Sequence, residues 1–325
     1  MPNTKIICQG FTKSARIDIP PGSKWEKVSL KSFSCTFNKN ILQSQAAMAY
    51  ATSVKNVRRT KGPFLLDVPS IDLSIEIEVY RDMFNEILNA IANHRNEHFR
   101  VNFIDHASGI NWLFNECYVT SCSFSISEDS ILSVSLSFFV VTDRINFDWN
   151  QRSIGDRFGN EELPIRPQYE SRGVIPYYDF AVGMGDGSNT LADVMGFSFD
   201  FSQSVEPKYE CSGSNHVYAH SASHLLFGMP NIEFTLTIFM GGVNDRVNYG
   251  DHTSNANGTA TTFHDTIRSL NNDTIKLYIR KKQRNSREYE KVLTMTGCVD
   301  VSMSPNFDTF PSHEHKYIVN GILKV

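Results

Sequence analysis

Strict alternation of apolar and polar residues, met twice in the same setting, limits what this chain can fold into more than any other feature. Ile71, Leu73, Ile75, Ile77 and Val79 alternate with Asp72, Ser74, Glu76, Glu78 and Tyr80. A period of two puts every aliphatic on one face of an extended strand and the polar residues on the other. Ile232, Phe234, Leu236, Ile238 and Met240 repeat the pattern against Glu233, Thr235, Thr237 and Phe239. The flanks match as well. Phe64-Leu65-Leu66-Asp67-Val68-Pro69 precedes the first strand and Leu225-Leu226-Phe227-Gly228-Met229-Pro230 the second, and from each proline onward the two segments align without a gap. Self-similarity of this kind marks a unit used more than once.

The match extends both ways. Upstream, Ser32-Phe33-Ser34-Cys35-Thr36-Phe37 resembles Gly196-Phe197-Ser198-Phe199-Asp200-Phe201. Downstream, Phe84, Ile87, Leu88 and Ile91 stand at helical spacing, which predicts a helix over 81–94 with Asp82 at its start and Asn93 and His94 at its end. The second half has a shorter helical candidate over 263–270, with Phe263, Ile267 and Leu270 on one side. A strand follows each helix, marked by Phe99, Val101 and Phe103 in one half and by Ile275, Leu277 and Ile279 in the other. Each half closes with a hairpin: Cys117 to Ser127 with Ile131 to Thr142, and Leu293 to Ser304 with His315 to Val325. The order β, long loop, β, α, β, β, β therefore occurs twice. The fold expected is α+β and mainly β: a tandem pair of barrel or sandwich domains, 1–149 and 195–325, with one packed helix each. A loop-rich linker over 150–194, carrying Pro164, Pro167 and Pro176, joins them.

A chain of 325 residues is long enough for two such cores, and 41% hydrophobic with 20% charged residues is a globular balance. A formal charge of -4 excludes a general basic field that would draw it onto nucleic acid. No apolar run reaches the roughly 20 residues of a spanning helix. Nor does the N-terminus read as a signal peptide, so synthesis in a cytoplasm is expected. The six cysteines form no CxxC pair and read as reduced, mostly buried thiols.

A unit of about six strands and one helix covers one sheet face and leaves another exposed. That second face carries Ser74, Glu76, Glu78, Ser133, Ser135 and Ser137, which suits water but makes no apolar pocket. Open sheets also present edges that must be paired or blocked. A ring in which neighbouring sheets join into one barrel removes the edges and lines a wet channel with the polar faces.

The order of elements, the single helix after the alternating strand, and the closing hairpin from Tyr118 through Ser123-Phe124-Ser125 to Phe139 resemble the tail-tube fold of tailed bacteriophages and related contractile machines. The resemblance covers 28–142 and 195–325. It implies a structural tail component, namely a tail tube, tube-initiator or baseplate hub protein. Such proteins form a ring around a channel for DNA or a tape-measure protein. For two domains in one chain it implies a homotrimer with pseudo-sixfold symmetry, a hexamer being the other closed ring. Adjacent tube or baseplate proteins and the sheath are the further partners, and the place is the virion tail, assembled in the host cytoplasm. The long connections 38–62 and 202–224 would reach neighbouring rings or subunits, with Gln43, Gln45, Arg58, Arg59, His216 and His220 as contacts. The insert 244–262 departs from equivalence of the two halves.

Other motifs lead less far. His216, His220 and His224 stand four apart, as zinc ligands on a helix would, but Ser-rich surroundings are poor helix formers and the first half has no matching histidine. His313 and His315 share a strand face without a third ligand. The Gly183-Met184-Gly185-Asp186-Gly187 stretch lacks the Lys-Ser/Thr ending of a phosphate loop. The basic runs 55–61 and 280–291 read as solvated surfaces. No nucleophile adjoins a base, so no enzyme, cofactor or metal is expected. A carbohydrate-binding or host-attachment module is the alternative. It needs clustered exposed aromatics, and Trp25, Trp112 and Trp149 are scattered.

Overall fold

The structure, a computed structural model, describes residues 13–21, 25–38, 70–105, 110–128, 130–141, 145–148, 174–185, 191, 194–208, 224–239, 274–280, 289–306 and 312–324. The N-terminal set of elements is β1 (Lys13–Asp18), β2 (Trp25–Asn38), β3 (Ser70–Glu78), α1 (Arg81–Asn93), β4 (Phe99–Asp105), β5 (Ile110–Ser127), β6 (Ser133–Val140) and β7 (Ile145–Asp148). The C-terminal set opens with a 3-10 turn (Tyr177–Asp179) and continues with β8 (Phe180–Met184), β9 (Val194–Ser202), β10 (Val205–Lys208), β11 (His224–Phe227), β12 (Asn231–Phe239), β13 (Thr274–Arg280), β14 (Tyr289–Asn306) and β15 (Ser312–Lys324). The fold is mainly β, with one α-helix among the described residues.

The alternating segments form strands because each can bury one face completely. Ile71, Leu73, Ile75 and Ile77 of β3 are buried, as are Val134, Leu136, Phe138 and Val140 of β6. β1 pairs with both β2 and β4, and β4 pairs with β5, so β1-β2-β3-β6-β5-β4 close into a six-stranded antiparallel barrel. Its interior is aromatic: Phe33 stacks on Phe103 with centroids 4.0 Å apart, and Phe99 lies 5.4 Å from Phe138. Such pairs add to simple area burial because ring edges and faces attract. The C-terminal set runs in the order β9-β12-β15-β14-β13-β8. Between its two ends, Tyr177 Oη donates to the Val194 carbonyl and the Leu191 N–H to that of Val182 at 2.6 Å. β10 and β11 form a separate two-stranded ribbon.

β5 is the hinge of the topology. Its 18 residues are long enough to serve two sets of neighbours. The first part pairs with β4, and residues 121–127 pair with β9, so the two sets join edge to edge in one sheet.

The helix buries Met83, Phe84, Ile87, Leu88 and Ile91, the face its spacing predicts. Asp82 lies in the first turn rather than at the cap, which is Tyr80 in extended conformation with no capping hydrogen bond from its side chain. At the other end the His94 N–H reaches the Ala90 carbonyl at 2.9 Å. Helix α1 does not stay within the N-terminal set. It packs against β14 and β15, and Phe84 meets Phe124 edge-on at 5.0 Å and Phe180 at 6.2 Å. Arg81 donates to Glu290 at 3.4 Å across the same contact. The expected second helix over 263–270 lies outside the described residues. Within the span read as a linker, 180–184 form β8, which pairs with β13. The loop signals there hid a short strand.

Candidate functional site

The joint between β5 and β9 makes β2, β3, β6, β5, β9, β12, β15 and β14 neighbours in that order. Their outward residues form rows across all eight strands. One row reads Ser32, Glu76, Ser135, Ser123, Asp200, Glu233, Ile318 and Val299, each registered with the next. Another reads Ser29, Glu78, Ser133, Ser125, Ser198, Thr235, Lys316 and Ser302. Ser74, Glu76, Glu78, Ser133, Ser135 and Ser137, singled out from sequence, thus lie on one surface, and β5, β9, β12 and β15 extend it.

The surface is acidic. Asp72, Glu76, Glu78, Asp200, Glu233 and Glu314 face outward on it. Lys316 pairs with Glu233 at 2.7 Å and Lys31 with Glu76 at 3.7 Å. The Lys316 ammonium holds the Glu233 carboxyl below its usual range, while partial burial, with Glu233 beside it, pushes Asp200 up. These exposed pairs contribute little to stability individually, because water and salt screen them. Their sum sets the sign of the field over the face.

The two sets of strands pair in matching registers. Phe33 faces Ile75 and Cys35 faces Leu73, as Phe197 faces Leu236 and Phe199 faces Phe234. Leu73–Phe138, Ile75–Leu136 and Ile77–Val134 are answered by Phe234–Tyr317, Leu236–His315 and Ile238–His313. The β5–β6 ladder slips between Val119 and Ser121, and the β14–β15 ladder between Asp300 and Ser302, at the corresponding place. A β-bulge adds one residue to one strand and shifts everything beyond it, so its position is a demanding point of comparison.

Three features hold the joint together. Gly196 allows close approach: a Cβ there would stand 2.8 Å from the Ile126 carbonyl oxygen. Gln203, buried just past β9, donates from Nε2 to the carbonyls of Val119 at 2.9 Å and Arg95 at 3.2 Å. Phe124 and Phe199 stack across the joint with centroids 4.8 Å apart. Only the last was signalled, by aromatics on alternating apolar faces.

The histidine motifs resolve differently. His313 and His315 point into the C-terminal core, 4% and 1% exposed, where β6 places Val134 and Leu136. His315 Nδ1 lies 3.0 Å from Asp300 Oδ2, and the two imidazoles are 6.2 Å apart. His224 stands on β11, an extended strand rather than a helix. His216, His220, Gln43, Gln45, Arg58 and Arg59 lie outside the described residues. Among the described residues no cluster of His, Cys, Asp and Glu could hold a metal, and no helix is long and apolar enough to cross a membrane. Arg280, in the second basic run, pairs with Asp179 at 3.7 Å and lies over the Tyr178 and Tyr289 rings.

No protein-family model matches the chain, and no curated protein matches it in sequence. The class is therefore defined by geometry: a mainly β protein whose two six-stranded sets are joined edge to edge under one acidic, serine-rich face.

Proposed function

We propose that this chain is a structural subunit of a phage-tail-like conduit, a tail tube, tube-initiator or baseplate hub protein, built from two copies of one tube-like unit. The copies occupy 1–149 and 195–325. The observation that carries the reading is the β5–β9 joint between sets whose registers agree down to the bulge. A duplicated module retains its register because every one-residue slip would turn its apolar residues outward.

A joint of this kind repeats readily. A heterologous contact closes into a ring when its rotation divides a full turn. Three chains would give a six-unit ring, with the polar faces of β3, β6, β5, β9, β12 and β15 lining the channel. Its acidic, serine-rich lining suits passage of a polyanion or an elongated protein, since it offers few cations to hold phosphates. The α1 contact with β14 and β15 ties the two copies together behind that lining. Partners are then further copies of the chain, adjacent tube or baseplate proteins and the transported DNA or tape-measure protein, and the place of action is the virion tail.

Electron microscopy of the purified chain, with its mass in solution, tests the reading. Rings with a central hole and three copies of the chain support it. A compact monomer at every concentration, with no ring in any micrograph, would end it.

A further inference from the structure

The internal joint has an unfinished counterpart at each end of the eight-strand run. On β5, residues 110–117 pair with β4 and residues 121–127 with β9. On β14, residues 289–296 pair with β13, but no strand among the described residues pairs with the same edge at 299–305. β9 carries β5 on the edge away from β12, whereas the corresponding edge of β2 at 32–38 has no strand among the described residues. Burial tells the same story. Cys122 is 0% exposed beneath the joint, while Met303, in its place on β14, is 38% exposed with Val301 nearby at 48%. Phe199 is 1% exposed, while Cys35, in its place on β2, is half-buried. Both edges thus end in apolar positions that the internal joint covers.

The β14 edge also carries a specific alteration. Pro305 faces His313 of β15, and a proline has no N–H with which to complete a two-bond pair. That pair must therefore be of the non-hydrogen-bonded kind, which turns the nitrogen and carbonyl of Pro305 toward the open edge. Phe124 occupies the matching place on β5 and has an N–H to offer. The open edge can accept at 305 but cannot donate there, a common way of blunting an exposed strand.

Building on the ring reading, we infer that residues 302–306 of β14 take β2 of a second copy in the register of the β5–β9 joint, with Ser304 opposite Thr36 and Pro305 opposite Cys35. The missing donor at Pro305 makes this intermolecular joint weaker than the internal one, so chains associate reversibly where the two halves of one chain do not part. The occupant is a second copy of this chain because β2 and β14 present the two halves of a contact the chain already makes with itself.

Ser304 directs its backbone to β15, so Ser304 and Thr36 would form a non-hydrogen-bonded pair with Cα atoms about 4.5 Å apart. Disulfides span that distance. The test is the full chain carrying Thr36→Cys and Ser304→Cys, oxidised at neutral pH and resolved without reductant. The Cys35 thiol, pushed up to about 11 by burial and by Asp72, reacts poorly under these conditions. Covalent dimers and trimers are expected, with the 36–304 linkage found by peptide mass mapping. Separately purified T36C and S304C chains should give only dimers when mixed. The pair T36C and S302C, two residues out of register, should stay uncrosslinked. Pro305→Val restores the donor, and its dissociation constant should fall roughly fivefold, the worth of one added ladder bond. Rings that link only through the shifted pair, or through neither, overturn the register while leaving the ring reading intact. Absence of both rings and crosslinks overturns both, and an unchanged constant for P305V overturns the role given to the proline.

Discussion

Replacing Gly196 by alanine asks whether the two halves are held together by close approach of their backbones. Gly196 faces Ser127 across the joint and Thr237 within its own set. Its φ is not in the left-handed region, which among the described residues is occupied by Gly185 and Gly297. Space, not conformational freedom, is what the glycine supplies. A Cβ at this position would sit 2.8 Å from the Ile126 carbonyl oxygen and 3.3 Å from the Ser127 Cα. Both are backbone atoms of a paired strand and cannot rotate away, so β9 must separate from β5. Overpacking of this type costs about 1–3 kcal/mol. Alanine also narrows the unfolded ensemble, which offsets about 0.4–1 kcal/mol. The middle of these ranges leaves a net loss of about 1.3 kcal/mol, or a fall in melting temperature of roughly 3–5 °C at the slope usual for domains of 150–250 residues. Thermal unfolding gives the size, and hydrogen exchange gives the place, since amides at 121–127 and 196–202 should exchange faster than those of β3. Ser32 stands at the corresponding place on β2, where no strand among the described residues approaches, and Ser32→Ala should stay within about 0.5 kcal/mol of the parent. A G196A chain that melts at or above the parent temperature would refute the argument.

Two further outcomes follow from buried ionisable groups. Burial, with the charge of His315 beside it, depresses the pKa of His313 below the ordinary histidine value, so between its native pKa and about 6.5 the unfolded chain binds more protons than the native one. Stability is then fully present above that range and is lost as pH falls through it; His313→Val, the residue that β6 carries at this place, should flatten the loss between pH 7 and 5 in urea titrations, and an unchanged slope would count against it. Burial pushes the Cys122 thiol up to about 12 and the Cys117 thiol well above its usual value, so thiol reagents at pH 8 should leave both unmodified until the chain unfolds. Peptide mapping that finds either one labelled at the native rate would contradict the buried placement.

The comparison of His313 and His315 with Val134 and Leu136 shows how far a repeated pattern carries. Alternation assigns all four to the inward face, because side-chain direction along a strand follows from position alone. What an inward face will tolerate depends on what lies across it. In the C-terminal set Asp300 stands beside His315 and accepts its hydrogen bond, where β5 has Val119. That exchange is invisible in either strand read by itself. The same holds for β8: Phe180 and Val182 sit among glycines and loop signals, and they form a strand because β13 offers an edge.

Local patterning alone determined the strands β3 and β12, the face each buries, the amphipathic helix α1, the closing hairpins and the internal likeness of the halves. These are consequences of period and spacing, which a linear sequence states outright. Tertiary structure alone decided that β5 reaches beyond its own barrel to β9, that α1 leaves its own set to pack on β14 and β15, and that Gly196 and Gln203 sit at the joint. Ladder hydrogen bonds are the same for every sequence, so a strand edge does not name its partner. Which edge meets which is settled only when the apolar faces of distant segments have been packed together.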